Sequence, residues 1–238
     1  MRFSNAPAPP DSMPRPLLVG IVNITEDSFS DGGRFLDPAA AIAQARRLAA
    51  GGADIVELGA AASNVAARPV APAEEIRRLD PVIAALAGVD VPLAVDTSQP
   101  ETQRFALARG VAYLNDIRGF PDASVYRDLA AGHCLLVVMH AVESEGRARR
   151  VSLGAEAVWR RIERFFTERI ARLEGAGIAR ERLILDPGMG LFLSSRVDSS
   201  LRVLTSLDRL KAAFGLPVMI SVSRKSFLGA IKIGRAHV

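Results

Sequence analysis

Seven short apolar runs in this chain each close on a polar side chain. They end at Asn23, Glu57, Asp96, the Asn115–Asp116 pair, His140, Asp186 and Ser223, the last leading into Arg224 and Lys225. Carboxylates accept paired hydrogen bonds from planar N–H edges, an amide donates and accepts at once, and an ammonium supplies a compact positive point. Such a set makes a ring of ligands around one substrate. It does not suit covalent catalysis: no Ser-His-Asp or Cys-His constellation stands out, and the single cysteine, Cys134, opens an apolar run instead of closing one. Asn23 ends its run before a polar, glycine-tipped loop within GIVNITEDSFSDGG at 20–33. An amide oxygen there either coordinates Mg²⁺, which prefers oxygen ligands and phosphate partners, or satisfies an ordinary turn. Asp186 opens Asp-Pro-Gly-Met-Gly, a tight turn that would hold its carboxylate at the strand end. Asp116 is expected to face away from Asn115 and serve structure, and His140 to be a satisfied core histidine.

The runs read as strands at 17–24, 54–59, 92–97, 112–117, 134–140, 182–188 and 217–223. They are nearly continuous in hydrophobicity, as parallel strands buried on both faces are. Helices are predicted between them. One opens at Asp37-Pro38, an N-cap followed by a first-turn proline, and runs to Gly51-Gly52. Others span about 73–87, 100–109, 122–131, 155–175 and 198–214. Six β-α repeats followed by a seventh strand make either a doubly wound sheet or a (β/α)₈ barrel. No G-x-G-x-x-G follows the first strand, so the dinucleotide fingerprint is absent. Polar groups at nearly every strand end favour the barrel, where those ends converge on one mouth.

Bulk properties fit one α/β domain. The chain has 238 residues, 49% hydrophobic and 24% charged, enough for one large core. One cysteine precludes an internal disulfide and points weakly to a reducing compartment. The first fourteen residues hold four prolines and no apolar stretch, so residues 1–16 read as a disordered lead-in and not a secretory signal. No run approaches a membrane span, and the expected location is cytoplasmic. The formal charge of +4 is almost all arginine; the only lysines are Lys211, Lys225 and Lys232. Arg147, Arg149 and Arg150 cluster without aromatic residues between them, a solvated loop and not a nucleic-acid surface.

The 20–33 segment resembles the first signature of dihydropteroate synthases. LAVDTSQP with Asp96, YLNDI with Asn115, VVMH with Met139 and His140, LILDPGMG with Asp186 and SVSRKS from Ser223 to Ser226 are similar to the rest of the family pattern, in order over residues 17–228. The resemblance implies a (β/α)₈ barrel that condenses 6-hydroxymethyl-7,8-dihydropterin diphosphate with p-aminobenzoate, with Mg²⁺ as cofactor. It implies that Asp96, Asn115 and Asp186 bind the pterin, that Met139 lies against its face, and that Lys225 contacts the pterin and the amine's pocket. Asp96, Asp186 and Lys225 form the implied catalytic set. Ser223, Ser63 and Phe29 complete the substrate contacts, Phe29 by covering the aminobenzoate ring, and Asn23 is the implied metal ligand. Family members are typically homodimers of small-molecule enzymes, with no nucleic-acid or membrane partner.

Three departures bear on this reading. The second loop reads AASNVAARPV, so that Ser63 meets the family threonine and Asn64 its arginine, leaving Arg68 as the alternative cation. LDPGMGLFLSS at 185–195 and GFPD at 119–122 resemble the sulfonamide-insensitive synthases of mobile elements. The family's strand-eight Arg-x-His pair has no counterpart, so the expected barrel, residues 17–231, stops after strand seven. Residues 233–238, IGRAHV, match one frame of a common sequencing adapter, and 232–238 are expected to be a non-native tail. The alternatives are a pterin-binding protein without turnover and, further off, a methyltetrahydrofolate:corrinoid methyltransferase-like barrel.

Overall fold

The computed structural model describes residues 15–25, 36–62, 69–141 and 152–223. Six parallel strands lie in sequence order: β1 (Val19–Asn23), β2 (Ile55–Gly59), β3 (Leu93–Asp96), β4 (Tyr113–Asp116), β5 (Leu135–Met139) and β6 (Leu183–Asp186). Helices connect them: α1 (Pro38–Ala50), α2 (Pro72–Ala85), α3 (Pro100–Ala108), α4 (Tyr126–Ala131) and α5 (Ala155–Gly175), with α6 (Val197–Leu204) and α7 (Leu207–Phe214) after β6. A doubly wound sheet reverses its strand order part-way. Here the order runs β1 to β6 without reversal. With right-handed crossovers, that places every helix on the same face, as in the wall of a barrel. The helices accordingly pack in succession, α1 on α2, α2 on α3 and α3 on α4.

Local chemistry accounts for the helix ends. Asp37 caps α1, its carboxylate accepting from the Ala39 N–H at 3.2 Å with Pro38 in the first turn. Pro72 and Pro100 likewise sit in the first turns of α2 and α3, there without a side-chain cap. The long α5 buries Val158, Trp159, Ile162, Phe166, Ile170 and Leu173 along one stripe, the spacing of a helix with a single apolar face.

Side chains alternate across each strand, so the register separates two rows. One contains Val22, Val56, Leu58, Val95, Leu114, Leu136, Val138, Leu183 and Leu185, which join the helices in the main core. The other faces the barrel interior and ends, toward the C-terminal rim, in Asn23, Gly59, Asp96, Asn115, Met139 and Asp186. Ile21 belongs to this inner row and is 40% exposed.

Three expectations are corrected. The seventh strand is reduced to a bridge: Val218 pairs in parallel with Leu185, through Leu185 N–H to Pro217 O and Met219 N–H to Leu185 O, both 2.9 Å. The helix expected over 198–214 is two helices. Ser206, at φ −130°, leaves helical geometry, and the Thr205 hydroxyl turns back onto the Leu201 carbonyl at 3.1 Å, a local bond that competes with the helix ladder. The 122–131 helix begins as a 3-10 turn, Ala123–Val125, capped by Asp122. No helix among the described residues is long and apolar enough to cross a membrane.

Candidate active site

The C-terminal ends of β2, β3, β4 and β6 bring four polar side chains together. Asp96 and Asn115 are register partners on β3 and β4. Asn115 donates through Nδ2 to Glu57 Oε2 of β2 at 3.2 Å, while its own Oδ1 is buried with no hydrogen-bond partner among the described residues. Asp186, buried at the end of β6, accepts the Gly188 N–H at 2.8 Å. That bond is made by the Asp-Pro-Gly turn: Gly188 has φ +77°, and a Cβ there would sit 2.5 Å from the His140 carbonyl.

Charge crowding follows from this convergence. Burial pushes the Glu57 carboxyl up to about 7; the Asn115 hydrogen bond opposes the shift and the charge of Asp186 adds to it. Asp96 is raised well above the carboxylate range, first by desolvation and then by the charges of Glu57, Asp116, Glu75 and Asp186. Buried carboxyls held this way accept strongly once a ligand brings N–H donors, because the donors supply the compensation that water no longer gives.

Met139 ends β5 opposite Asp186 in register. It forms a small apolar cluster with Phe192, flanked by Ile117, Ala141 and Leu191, separate from the main core. The rim therefore offers polar groups on β2, β3, β4 and β6 and an apolar, polarisable wall beside them.

The neighbouring residues serve structure. The Asp116 carboxylate accepts from Gln103 Nε2 and from the Arg118 and Phe120 N–H groups at 2.8 to 3.0 Å, fixing the turn after β4. It lies in the outer row, away from Asn115. His140, just beyond β5, lies at 3.1 Å from the Pro187 carbonyl through Nδ1, stacks edge-on against Phe165, and is pushed down to about 4 by burial. It is a neutral core histidine at neutral pH.

Residues 19–237 match the family described as pterin binding enzyme. Dihydropteroate synthase type-2 of Escherichia coli is 56% identical over 215 residues, which cover 90% of this chain and 79% of that protein. The chain belongs to the dihydropteroate synthase family. Solved family members share the architecture. The Xanthomonas albilineans dihydropteroate synthase with 4-aminobenzoic acid superposes with a TM-score of 0.79 at 36% identity, covering 91% of this chain and 76% of that one. The Burkholderia cenocepacia dihydropteroate synthase complexed with 7,8-dihydropteroate gives 0.78 at 32%, covering 93% and 76%.

The dihydropteroate synthase pattern thus finds Asp96, Asn115, Met139 and Asp186 on one rim. Asn23 is half-buried at the end of β1, in register with Gly59, and Ser223 is exposed at the last described position. Phe29, Ser63 and Lys225, with Arg68, lie outside the described residues. Glu57 was expected among the polar groups closing the strands but was assigned no catalytic, substrate or metal role. Its signal was a lone carboxylate inside an apolar strand, two residues before Gly59, where alternation turns it to the same face as the other strand-end groups.

No group of three or more His, Cys, Asp or Glu side chains among the described residues is placed to hold a metal, which argues against a protein cage. A Cβ at Gly59 would come within 3.6 Å of Asn23 Oδ1 and 4.0 Å of Asp96 Cβ, so the absent side chain leaves a gap between them. One hard amide oxygen facing such a gap fits an ion held mainly by substrate oxygens and water, the usual habit of Mg²⁺.

Proposed function

We propose that this chain joins 6-hydroxymethyl-7,8-dihydropterin diphosphate to p-aminobenzoate, giving 7,8-dihydropteroate and diphosphate. The observation that carries the reading is the rim itself: Asp96, Asn115 and Asp186, on three strands, bring their acceptors together on one face of the sheet. A pterin carries a planar edge of amino and ring N–H donors that matches it. Asp96 and Asp186 accept from those donors and orient the ring; Met139 packs against a ring face. The aminobenzoate nitrogen attacks the exocyclic methylene carbon as the bond from that carbon to the diphosphate oxygen breaks, and the amine then loses a proton. No protein nucleophile takes part. Asn23 would hold Mg²⁺, which when bound offsets the charge left on the diphosphate. Lys225, Ser223, Ser63 and Phe29 complete the proposed substrate contacts.

Insensitivity to sulfonamides is a second part of the proposal. The support is the 185–195 segment, whose Phe192 packs on Met139 beside the pterin acceptors. A wall there sets how much room the second substrate has, and a sulfonamide is bulkier than the carboxylate it mimics.

The test is turnover of the pterin diphosphate with p-aminobenzoate, followed as dihydropteroate formed, with and without a sulfonamide. Asp96→Asn is expected to lower kcat/KM by at least 100-fold, because a buried charge-assisted acceptor is lost. Pterin binding without turnover would replace the enzyme reading by a binding protein. Equal inhibition of this chain and of a sensitive synthase would end the insensitivity proposal.

A further inference from the structure

Asn115 has two chemically different ends, and something must decide which one meets the ligand. Its side chain is only 6% exposed, so water does not blur the choice. Nδ2 is committed to Glu57 Oε2 at 3.2 Å. Oδ1 is buried, and no described residue bonds it. Glu57 comes from β2 and Asn115 from β4, with β3 between them; Ala94, opposite Glu57 in register, leaves only a methyl group in the way. The two side chains therefore meet across β3 past that methyl group, with Asp96 of the same strand opposite Asn115 in register.

An ionised carboxylate accepts hydrogen bonds and donates none. Facing one, an amide turns its NH₂ toward it and presents its oxygen elsewhere. The opposite orientation would set two acceptors against each other. We propose that Glu57 is a positioning residue that fixes the Asn115 amide with its oxygen toward the ligand, so that the site selects an N–H donor at that edge. This rests on the pterin reading above and assigns Glu57 a part in it: Glu57 acts through Asn115 and need not touch substrate. Its elevated proton affinity fits a carboxyl kept in a buried place for the bond it makes and not for stability.

The experiment is calorimetric titration of the whole chain with 7,8-dihydropteroate, beside thermal melting. Glu57→Leu keeps the volume and removes the acceptor. It is expected to melt within about 4 °C of the parent, since the removed carboxyl offsets the lost hydrogen bond, yet to bind roughly tenfold more weakly. Glu57→Gln retains an oxygen acceptor and is expected to bind within about threefold of the parent. On an Asn115→Ala background Glu57→Leu is expected to cause no further loss, because the residue it positions is gone. Should Glu57→Leu fail to fold, Glu57→Met, equally without an acceptor, takes its place. Unchanged affinity in the acceptorless variant, a loss in Glu57→Gln as large as in Glu57→Leu, or an additive loss with Asn115→Ala each overturns the proposal. A parent chain that does not bind 7,8-dihydropteroate overturns the pterin reading and this inference together; a parent that binds while the variants break the pattern overturns this inference alone.

Discussion

At the scale of single residues, the site is an arrangement of acceptors held by backbone turns. Asp186 shows how narrow the tolerance is. Its carboxylate is anchored by the Gly188 N–H, and Gly188 keeps φ +77° with its α-carbon pressed toward the His140 carbonyl. Gly188→Ala meets both a left-handed backbone and a backbone oxygen that has no freedom to move aside. A loss of about 2 to 4 kcal/mol is expected from urea unfolding, together with weaker binding of dihydropteroate as Asp186 shifts. Stability lost without any change in affinity would show that the turn holds the fold and not the carboxylate. The sequence made Asp96, Asn115 and Asp186 legible because each ends an apolar run. It also separated Asn115 from Asp116, since neighbours on a strand face opposite ways. Glu57 was legible as one of those polar strand ends, but its role was not, because nothing local points to its partner, which lies 58 positions away on another strand.

At the scale of elements, strand order and helix placement were readable from the alternation of apolar runs with amphipathic stretches. The break between α6 and α7 was not, since a Thr-Ser pair is tolerated inside many helices and its hydroxyl bond is decided locally. Nor was the bracing of the strand ends from outside the barrel. Arg78 of α2 reaches in to donate to the Ala60 carbonyl at 3.1 Å and the Ile24 carbonyl at 3.4 Å, with its Nε on Glu74 at 2.7 Å. One guanidinium thereby ties the exits of β1 and β2, where Asn23 and Gly59 lie side by side. Arg78→Met preserves the stem and removes the donors. It is expected to destabilise by about 1.5 to 3 kcal/mol, the range for hydrogen bonds to a charged group, and to raise KM for the pterin diphosphate more than for p-aminobenzoate. Equal effects on both substrates would mean that the brace supports the barrel at large and not the β1–β2 side of the rim.

At the scale of the whole molecule, the site sets how stability depends on pH, and two opposing contributions have to be weighed. Glu57, raised to about 7, and Asp116, raised to about 6, hold protons that the unfolded chain has already released, and Asp96 and Glu75 are raised as well. Stability from raised acids is fully present below their unfolded values and is lost as pH rises through the folded ones. His140, lowered to about 4, has the opposite sign: its contribution is present above about 6.5 and is lost as pH falls toward 4. Between pH 8 and pH 6 Glu57 favours the acid side, because its folded value lies in the middle of that range, whereas His140 opposes it by less, because only its unfolded value falls there and close to the acid end. With Asp96 and Asp116 added, the ligand-free protein is expected to melt at least 2 °C higher at pH 6 than at pH 8, and Glu57→Gln to abolish most of that difference. Ligand binding runs the other way. An ionised carboxylate offers both oxygens to the pterin's N–H donors and accepts more strongly than the neutral acid, so dihydropteroate is expected to bind more weakly at pH 6 than at pH 8, and binding should release protons. Titrations in two buffers of different ionisation enthalpy measure that release directly. Binding without proton release, or a free protein that melts highest at pH 8, would mean that the acceptors at the rim are already charged before the ligand arrives.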